Sequence, residues 1–270
     1  MKAPKTLEGH VALVTGATGG IGLQFCRELA SRRCDLILTD VSERRLAAAR
    51  IEIETDFPDV KAVTLPVDLT DKDCVAVIDS FCSENSLDPD IVVNNAGIFA
   101  FAPVTDIEEE KLNCFIDLHM RAVTMLSRWF ATRRAQKGSG WLLNMSSMSC
   151  WMPMPGLSMY AATKSYIRVF TRSLHYEMRD FGIGVTVACP GGIATDLFGL
   201  PNRLKRLAVR LGVLDTPERF AHKAVDRMLK RKKQYINGWL NRFSIAFVGV
   251  MPTPVRMVVK HRLLDKGITR

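Results

Sequence analysis

The sequence predicts an α/β fold in three layers, with a parallel sheet covered by helices on both faces. Six short runs of apolar and β-branched residues are separated by 15 or more residues, enough for a helix to return the chain to the start of the next strand. Most of these runs are apolar at consecutive positions, which is typical of strands buried on both faces. Right-handed crossovers between such strands place helices on each side of the sheet.

The elements follow one another in a regular order. Strands are predicted at 11–15, 35–39, 61–66, 90–94, 141–145 and 183–189, and a first helix begins near residue 20. Thr216-Pro217 is typical of a helix start, and this last helix is predicted to end in the basic run 230–233.

Composition and charge indicate one folded domain whose basic residues are concentrated towards the end of the sequence. Of the 270 residues, 47% are hydrophobic, which supplies a sizeable core. We treat 1–270 as a single domain in which 1–195 form the core and 196–270 form a loop and a basic extension. The formal charge is +9, but residues 201–270 alone hold 17 basic and 4 acidic residues. No nucleic-acid recognition motif accompanies this charge, so nucleic-acid binding is not expected.

The cysteines and the termini bear on location. The seven cysteines form no CxxC pair and lack the His spacing of zinc sites, so no metal site is predicted. Such a set is typical of a reducing compartment, and we expect a cytoplasmic protein. The first ten residues lack the apolar stretch of a secretory signal. The charge-free stretch 243–255 is too short for a membrane-spanning helix.

A glycine-rich turn, TGATGGIG at 15–22, joins the first strand to the first helix. Gly16 permits the tight turn, while Gly20 and Gly22 let the backbone approach a pyrophosphate at the helix N-terminus. This position in the chain predicts a dinucleotide site in a doubly wound, Rossmann-type sheet. The alternative is a glycine-rich turn that binds no ligand.

Asp40 ends the second predicted strand, 18 residues after Gly22. A carboxylate at this distance hydrogen-bonds the ribose hydroxyls of the adenosine and repels a 2′-phosphate. Arg44 and Arg45 lie one helical turn further on and can neutralise such a phosphate. We therefore favour NAD as the cofactor, with NADP as the alternative, and a simple strand-end role for Asp40 stays open.

Tyr160 and Lys164 are four residues apart and share one face of a helix. A neighbouring ammonium favours the phenolate, so it lowers a tyrosine pKa from about 10. Ser147 can donate a hydrogen bond to a carbonyl oxygen as negative charge develops there, while Tyr160 supplies or removes the proton. The pair alone could be a lysine on an amphipathic helix, but with the glycine turn it predicts a hydride-transfer enzyme.

Together these motifs resemble the short-chain dehydrogenase/reductase family over roughly residues 8–195. The resemblance rests on TGxxxGxG at 15–22, NNAG at 94–97, Ser147, YxxxK at 160–164 and PGxxxT at 190–195. It implies the roles just given for the serine and the tyrosine, and it implies that Lys164 also binds the nicotinamide ribose. The implied cofactor contacts are Gly16, Thr18, Gly20, Ile21, Gly22 and Asp40, then Asp68 and Leu69 at the adenine, Asn95, Ala96 and Gly97 at the adenosine, Tyr160 and Lys164 at the nicotinamide ribose, and Ile193 and Thr195 at the carboxamide.

One position departs from the family pattern. In the stretch 116–122, His119 stands where the family usually has an asparagine that helps a water chain reach the active-site lysine. Imidazole can also relay protons, because its unperturbed pKa is about 6.5. His119 is therefore a candidate catalytic residue, and the alternative is that it merely fills this space.

The substrate is expected to be apolar. The connection 148–159, which lines the substrate pocket in the family, contains four methionines and Trp151, and the segment 98–101 is also apolar. These residues favour a steroid-like or fatty-acyl-like carbonyl or secondary alcohol. An NADP-dependent 3-oxoacyl or general ketone reductase is one alternative, and a non-catalytic dinucleotide-binding regulator is another. The resemblance also implies a homodimer or homotetramer that pairs through long helices corresponding to 106–135 and 158–181.

Residues 234–270 combine large apolar side chains with scattered Lys and Arg. They can form an interfacial segment that rests peripherally on an anionic membrane. They can also form a helical flap over the pocket or an oligomer contact, which is the interpretation we favour from the sequence.

Overall fold

The computed structural model describes residues 3–193 and 214–264. Its seven strands are β1 (Val11–Thr15), β2 (Asp35–Asp40), β3 (Ala62–Pro66), β4 (Ile91–Asn94), β5 (Gly140–Met145), β6 (Ile183–Cys189) and β7 (Gln234–Ile236). They form one parallel sheet in the order β3-β2-β1-β4-β5-β6-β7. The predicted three-layer, doubly wound α/β fold and its six predicted strands are confirmed.

The described helices are α1 (Gly20–Ala30), α2 (Glu43–Asp56), α3 (Cys74–Glu84), α4 (Glu109–Ile116), α5 (Val123–Ala135), α6 (Ser158–Glu177), α7 (Pro217–Leu229), α8 (Trp239–Gly249) and α9 (Thr253–Val259). Short 3₁₀ turns lie at Val104–Asp106 and Met148–Trp151, and π-helical turns lie at Asp117–Ala122 and Lys260–Leu264. None of these described helices has the length and apolarity needed to cross a bilayer.

The sheet is buried on both faces because alternate residues of each strand point into different helical layers. In β1, Ala12 and Val14 join a core cluster that includes side chains of α1, α2 and α7. Leu13, between them, joins a second cluster that includes side chains of α3, α5 and α6. This division explains why the strands read as consecutive apolar residues.

A crevice forms at the carboxyl edge of the sheet between β1 and β4. These two strands are neighbours in the sheet, although β2 and β3 come between them in the chain. Helix α1, which follows β1, and α5, the second helix after β4, pack on opposite faces of the sheet. The connections after the two strands therefore diverge, and this is where doubly wound sheets bind their ligands.

The end of the chain contributes more to this core than the sequence indicates. Thr216 caps α7 by accepting a hydrogen bond from the Arg219 N–H, as its Thr-Pro start predicts. Phe220 of α7 is fully buried and meets Phe25 of α1 edge to face, with ring centroids 6.3 Å apart. With β7, α7 is thus an integral part of the three layers rather than an extension of them.

The helix that the resemblance implies over 106–135 is not regular. It consists of α4, the π-helical turn Asp117–Ala122 and α5. A π-helical turn widens a helix locally and is frequent at functional sites. His119 lies in this turn and is completely buried.

Candidate active site

The glycine turn lies where the chain leaves β1 and enters α1. Gly16 has a φ of +61°, a left-handed conformation that favours glycine. A Cβ atom on Gly22 would lie 1.9 Å from the backbone oxygen of Gly16, so only glycine allows this close packing. The turn thereby presents the N-terminus of α1 to the crevice, where backbone N–H groups and the helix dipole favour an anion.

The NNAG segment holds this turn in place. Thr15 Oγ1 accepts hydrogen bonds from the N–H groups of Asn95 at 2.9 Å and Ala96 at 3.0 Å. The Asn95 side-chain amide donates to the backbone oxygens of Thr15 at 3.0 Å and Gly16 at 3.2 Å. Thr15, the first residue of TGxxxGxG, is therefore a positioning residue, a role that the sequence analysis does not give it. A hydroxyl at the end of a buried strand is the signal that could have found it.

Asp40 ends β2 with its carboxylate directed at the glycine turn. Its Oδ2 accepts hydrogen bonds from the Thr18 hydroxyl at 2.5 Å and the Thr18 N–H at 3.3 Å. Its Oδ1 accepts from the Val41 N–H at 2.8 Å and lies 3.2 Å from a nitrogen of Arg45. The Asp40 side chain is 10% exposed and that of Arg45 54%. The carboxylate is therefore fixed in the crevice, whereas the guanidinium lies largely in solvent.

A cleft of about 940 Å³ runs along the carboxyl edge from Asp40 to Tyr160. The predicted cofactor residues that line it are Gly16, Gly20, Ile21, Gly22, Asp40, Asp68, Leu69, Asn95, Ala96, Gly97, Tyr160, Lys164 and Ile193. Thr18 acts on the cleft through Asp40, and Thr195 lies outside the described residues. The left-handed glycine, the close approach that a Cβ would prevent and the fixed carboxylate together fit a dinucleotide.

Ser147, Tyr160 and Lys164 lie together towards the other end of the cleft. Ser147 follows β5, and Tyr160 and Lys164 are one turn apart on α6. Lys164 is only 5% exposed, and its Nζ donates a hydrogen bond to the Met145 carbonyl at 3.0 Å. The same Nζ lies over the Tyr160 ring, 5.7 Å from its centroid. The sequence prediction that these side chains share one site with the glycine turn is thus consistent with the geometry.

Burial controls the protonation of this group. It raises the pKa of Tyr160, and a hydrogen bond from Ser147 offsets part of that rise. Burial also lowers the pKa of Lys164 to about 8. The predicted lowering of the Tyr160 pKa is not found, because the effect of burial outweighs the influences that would lower it. At neutral pH Tyr160 is therefore a protonated phenol, able to donate a proton.

His119 uses both ring nitrogens within the protein. Nε2 accepts a hydrogen bond from the Ile98 N–H at 3.1 Å, which assigns the ring proton to Nδ1, 3.0 Å from the Thr163 hydroxyl. Thr163 in turn donates to a backbone oxygen of α6. Burial and the nearby Lys164 lower the pKa of His119 to about 2, so the ring is neutral. These contacts tie the π-helical turn to α6, which favours the space-filling interpretation over a proton relay.

Apolar side chains border the phenol. The Phe99 ring stands edge-on to the Tyr160 ring, with centroids 5.0 Å apart. Trp151, from the connection predicted to line the substrate pocket, packs instead against a core cluster that contains Cys189, and its ring lies 4.4 Å from the guanidinium carbon of Arg168. The segment after the NNAG turn therefore provides an apolar wall beside the phenol.

A doubly wound sheet whose crevice combines a glycine turn, a ribose-directed acid and a Ser/Tyr/Lys set is the architecture of a dinucleotide-dependent oxidoreductase. Within 3–193 and 214–264, no cluster of His, Cys, Asp and Glu side chains could bind a metal ion. The sequence model described as short chain dehydrogenase matches residues 10–203. The chain belongs to the short-chain dehydrogenase/reductase family.

Individual relatives agree with this assignment. The human protein named inactive hydroxysteroid dehydrogenase-like protein 1 is 30% identical over 257 residues, covering 90% of this chain and 73% of the relative. The Danio rerio very-long-chain 3-oxoacyl-CoA reductase-A is 28% identical, and the match covers 93% of this chain and 76% of the relative. A short-chain dehydrogenase from Sphingobium yanoikuyae, solved in complex with NADPH, superposes with a TM-score of 0.76 at 24% identity, covering 94% of this chain and 96% of that one.

Proposed function

We propose that this protein is a dinucleotide-dependent oxidoreductase that reduces an apolar ketone, with Tyr160 as the proton donor. One observation carries the proposal: the glycine turn and the Ser147, Tyr160 and Lys164 side chains open onto a single cleft. A dinucleotide and a carbonyl compound bound in this one cleft would be held beside each other. Proximity of this kind accounts for a large part of enzymatic rate enhancement.

Each side chain has a distinct part in this chemistry. The bound nicotinamide cofactor supplies the hydride that the carbonyl carbon receives. Ser147 donates a hydrogen bond to the carbonyl oxygen, which stabilises the developing negative charge. Tyr160 transfers its phenolic proton to that oxygen, so that the alcohol forms. Lys164 keeps its charge below a pH of about 8 and stabilises the phenolate that Tyr160 becomes.

At neutral pH the phenol is in the form that the proposed reduction needs. Burial raises the pKa of Tyr160, so the proton is already present for transfer to a carbonyl. His119 acts as a positioning residue in this scheme, because its ring holds the loop at Ile98 and the helix at Thr163 in a fixed relation.

We propose NAD as the preferred cofactor. The Asp40 carboxylate is fixed by Thr18 and faces the region where an adenosine ribose fits, so a 2′-phosphate there would meet negative charge. The exposed guanidinium of Arg45 opposes this preference, since it is 3.2 Å from the carboxylate and can bind a phosphate.

Replacing the acid tests this cofactor preference. We expect the wild-type protein to bind NADH more tightly than NADPH, and Asp40→Ala to bind NADPH at least tenfold more tightly than wild type because repulsion is removed and Arg45 is freed. The gain should disappear in the double variant Asp40→Ala/Arg45→Ala. Fluorescence titration of the reduced cofactors measures all three proteins. Tighter NADPH binding by wild type would show that Asp40 does not discriminate as proposed.

The proposed substrate is a fatty-acyl-like or steroid-like ketone. Phe99 packs against the Tyr160 ring and makes one side of the phenol apolar. The names of the relatives point the same way, since they refer to 3-oxoacyl-CoA reduction and to hydroxysteroids. An NADP-dependent 3-oxoacyl reductase is the nearest alternative.

Substrate assays test the proposed function as a whole. With NADH in excess, we expect the wild-type protein to reduce a long-chain 3-oxoacyl thioester or a 3-oxosteroid at least tenfold more efficiently, in kcat/KM, than a polar keto-sugar acid. The expected margin follows from the one to three kcal/mol that apolar contacts contribute to discrimination. Preference for the sugar acid would refute the apolar pocket, and no turnover of any ketone would favour a non-catalytic regulator.

The regulator alternative has one observation in its favour, the word inactive in the human relative's name. This chain nevertheless retains serine, tyrosine and lysine at 147, 160 and 164.

We further propose a cytoplasmic homo-oligomer. All seven cysteines are free, which supports a reducing compartment, and Met125 of α5 and Val169 of α6 expose apolar surface on the helices implied to pair.

A further inference from the structure

Several large apolar side chains of the helices after β7 are exposed. On α8, Trp239, Phe243 and Phe247 follow one another at four-residue spacing, and they are 68%, 65% and 72% exposed. The rings of the first two meet edge to face at 6.0 Å. Val250, directly after the helix, is 76% exposed. A helix that packs on a core normally shows the opposite orientation, with its aromatic residues inside.

The inner side of α8 explains why the aromatic side chains face outwards. Asn241 donates from Nδ2 to the backbone oxygen of Asn237 at 2.9 Å, and Asn237 Oδ1 accepts from the Gly191 N–H at 2.7 Å. A Cβ on Gly191 would lie 2.2 Å from Asn241, so the helix sits directly on this residue of the cleft wall. The start of α8 is thus held by polar contacts beside the active site.

The next helix also exposes apolar side chains. On α9, Val255, Met257 and Val258 are 47%, 39% and 51% exposed. We call these six side chains of α8 and α9, with Val250, the apolar surface. An interfacial helix places tryptophan, phenylalanine and aliphatic side chains at the level where lipid headgroups meet acyl chains.

The charged residues of the segment that carries the apolar surface have one sign. Residues 237–264 contain four Lys and Arg but no Asp or Glu. Arg242, Lys260 and Arg262 are exposed, and Arg256 is half-buried. This arrangement complements an anionic lipid surface, which attracts each nearby basic side chain. A two-fold contact between copies of the chain would instead bring the same positive surface against itself, because such contacts are self-complementary.

We propose that the apolar surface docks on the anionic face of a lipid bilayer, with α8 and α9 lying in the headgroup region. This replaces the flap or oligomer contact that the sequence favours. The position of α8 beside Gly191 then places the cleft next to the bilayer, from which a lipid-like substrate can enter. The docking itself does not depend on the proposed function, because neither cofactor nor ketone takes part in it.

Vesicle sedimentation with the full chain tests the proposal. We expect binding to vesicles of phosphatidylcholine and phosphatidylglycerol in a two-to-one mixture, and at least tenfold weaker binding to phosphatidylcholine alone. Added salt should weaken the first interaction because it screens exposed charges. Absence of binding to the anionic vesicles at low salt would overturn the proposal.

Two sets of variants locate the contact. The triple variant Trp239→Ser/Phe243→Ser/Phe247→Ser should lower the partition coefficient at least tenfold. The matched control Ile51→Ser/Val77→Ser/Phe181→Ser changes exposed apolar residues elsewhere and should bind as wild type. An equal loss of vesicle binding in both triple variants would refute a contact made specifically by the apolar surface. If light scattering shows that the first set breaks an oligomer while vesicle binding is unchanged, the surface is a contact between copies and the proposal is wrong.

A spectroscopic measurement covers the case in which the triple variant does not fold. Lipids brominated in the upper acyl chain should quench part of the tryptophan fluorescence of wild type. Trp239→Phe should keep its vesicle binding and lose that quenching, although the three other tryptophans remain. Unchanged quenching in Trp239→Phe would show that α8 does not enter the interface.

Discussion

Tyr160→Phe is expected to lower kcat for ketone reduction at least a hundredfold, because the phenol is the proposed source of the proton and general acid catalysis contributes factors of this size. The ring itself is retained, so its edge-to-face contact with Phe99 is preserved. We therefore expect the dissociation constant of NADH to change less than threefold. Steady-state rates together with cofactor titration check both halves of this prediction.

The same helix offers a matched control. Tyr166 lies six residues later on α6, where its hydroxyl is 2.7 Å from that of Thr124, away from the cleft lining. Tyr166→Phe removes an identical oxygen atom and should leave kcat within a few-fold of wild type. Equal activities of Tyr160→Phe and wild type would rule out the proposed proton donor, and an inactive Tyr166→Phe would point to a general effect on α6.

Gly22→Ala is expected to destabilise the fold and abolish dinucleotide binding. The added Cβ would lie 1.9 Å from the Gly16 oxygen and 2.7 Å from the Asn95 amide nitrogen, and the first of these atoms belongs to the backbone. Relief requires α1 to move away from the turn, which costs about 3 kcal/mol or more by analogy with overpacked cores. Urea denaturation and NADH titration measure the two effects.

Gly19→Ala distinguishes this clash from a general sensitivity of the turn. A Cβ at Gly19 would meet the Gly16 oxygen at 3.5 Å, an ordinary contact, and its φ of −80° suits alanine. The free energy of unfolding of Gly19→Ala should equal that of wild type or exceed it by up to about 1 kcal/mol, because alanine restricts the unfolded chain. A stable Gly22→Ala that binds NADH normally would contradict the packing described for the turn.

The sequence predicts the strands well because their signal is local. A strand covered by helices on both faces is apolar at nearly every position, and a glycine turn after the first of them indicates the switch point. β7 escapes prediction because it has three residues, Gln234–Ile236, and follows a run of basic residues. The core role of α7 depends on contacts with α1, which no local pattern reveals.

The sequence predicts which of these side chains line one cleft but not how they interact there. Spacing places Tyr160 and Lys164 on one face of α6, yet the direction of the ammonium depends on the Met145 carbonyl at the end of another element. The same is true of His119, whose two hydrogen-bond partners come from different parts of the chain. In α8 the amphipathic pattern does not predict which face of the helix packs on the protein. The face that carries Asn241 packs inwards because Asn241 hydrogen-bonds Asn237.

The most direct test of the central claim follows hydride and proton in a single turnover. Wild-type protein is mixed with a long-chain 3-oxoacyl thioester and NADH that carries deuterium at both C4 positions, and the alcohol is examined by mass spectrometry. The account predicts one deuterium on the carbinol carbon for wild type, formed at least a hundredfold more slowly by Tyr160→Phe. An alcohol without deuterium, or equal rates for the two proteins, would contradict it.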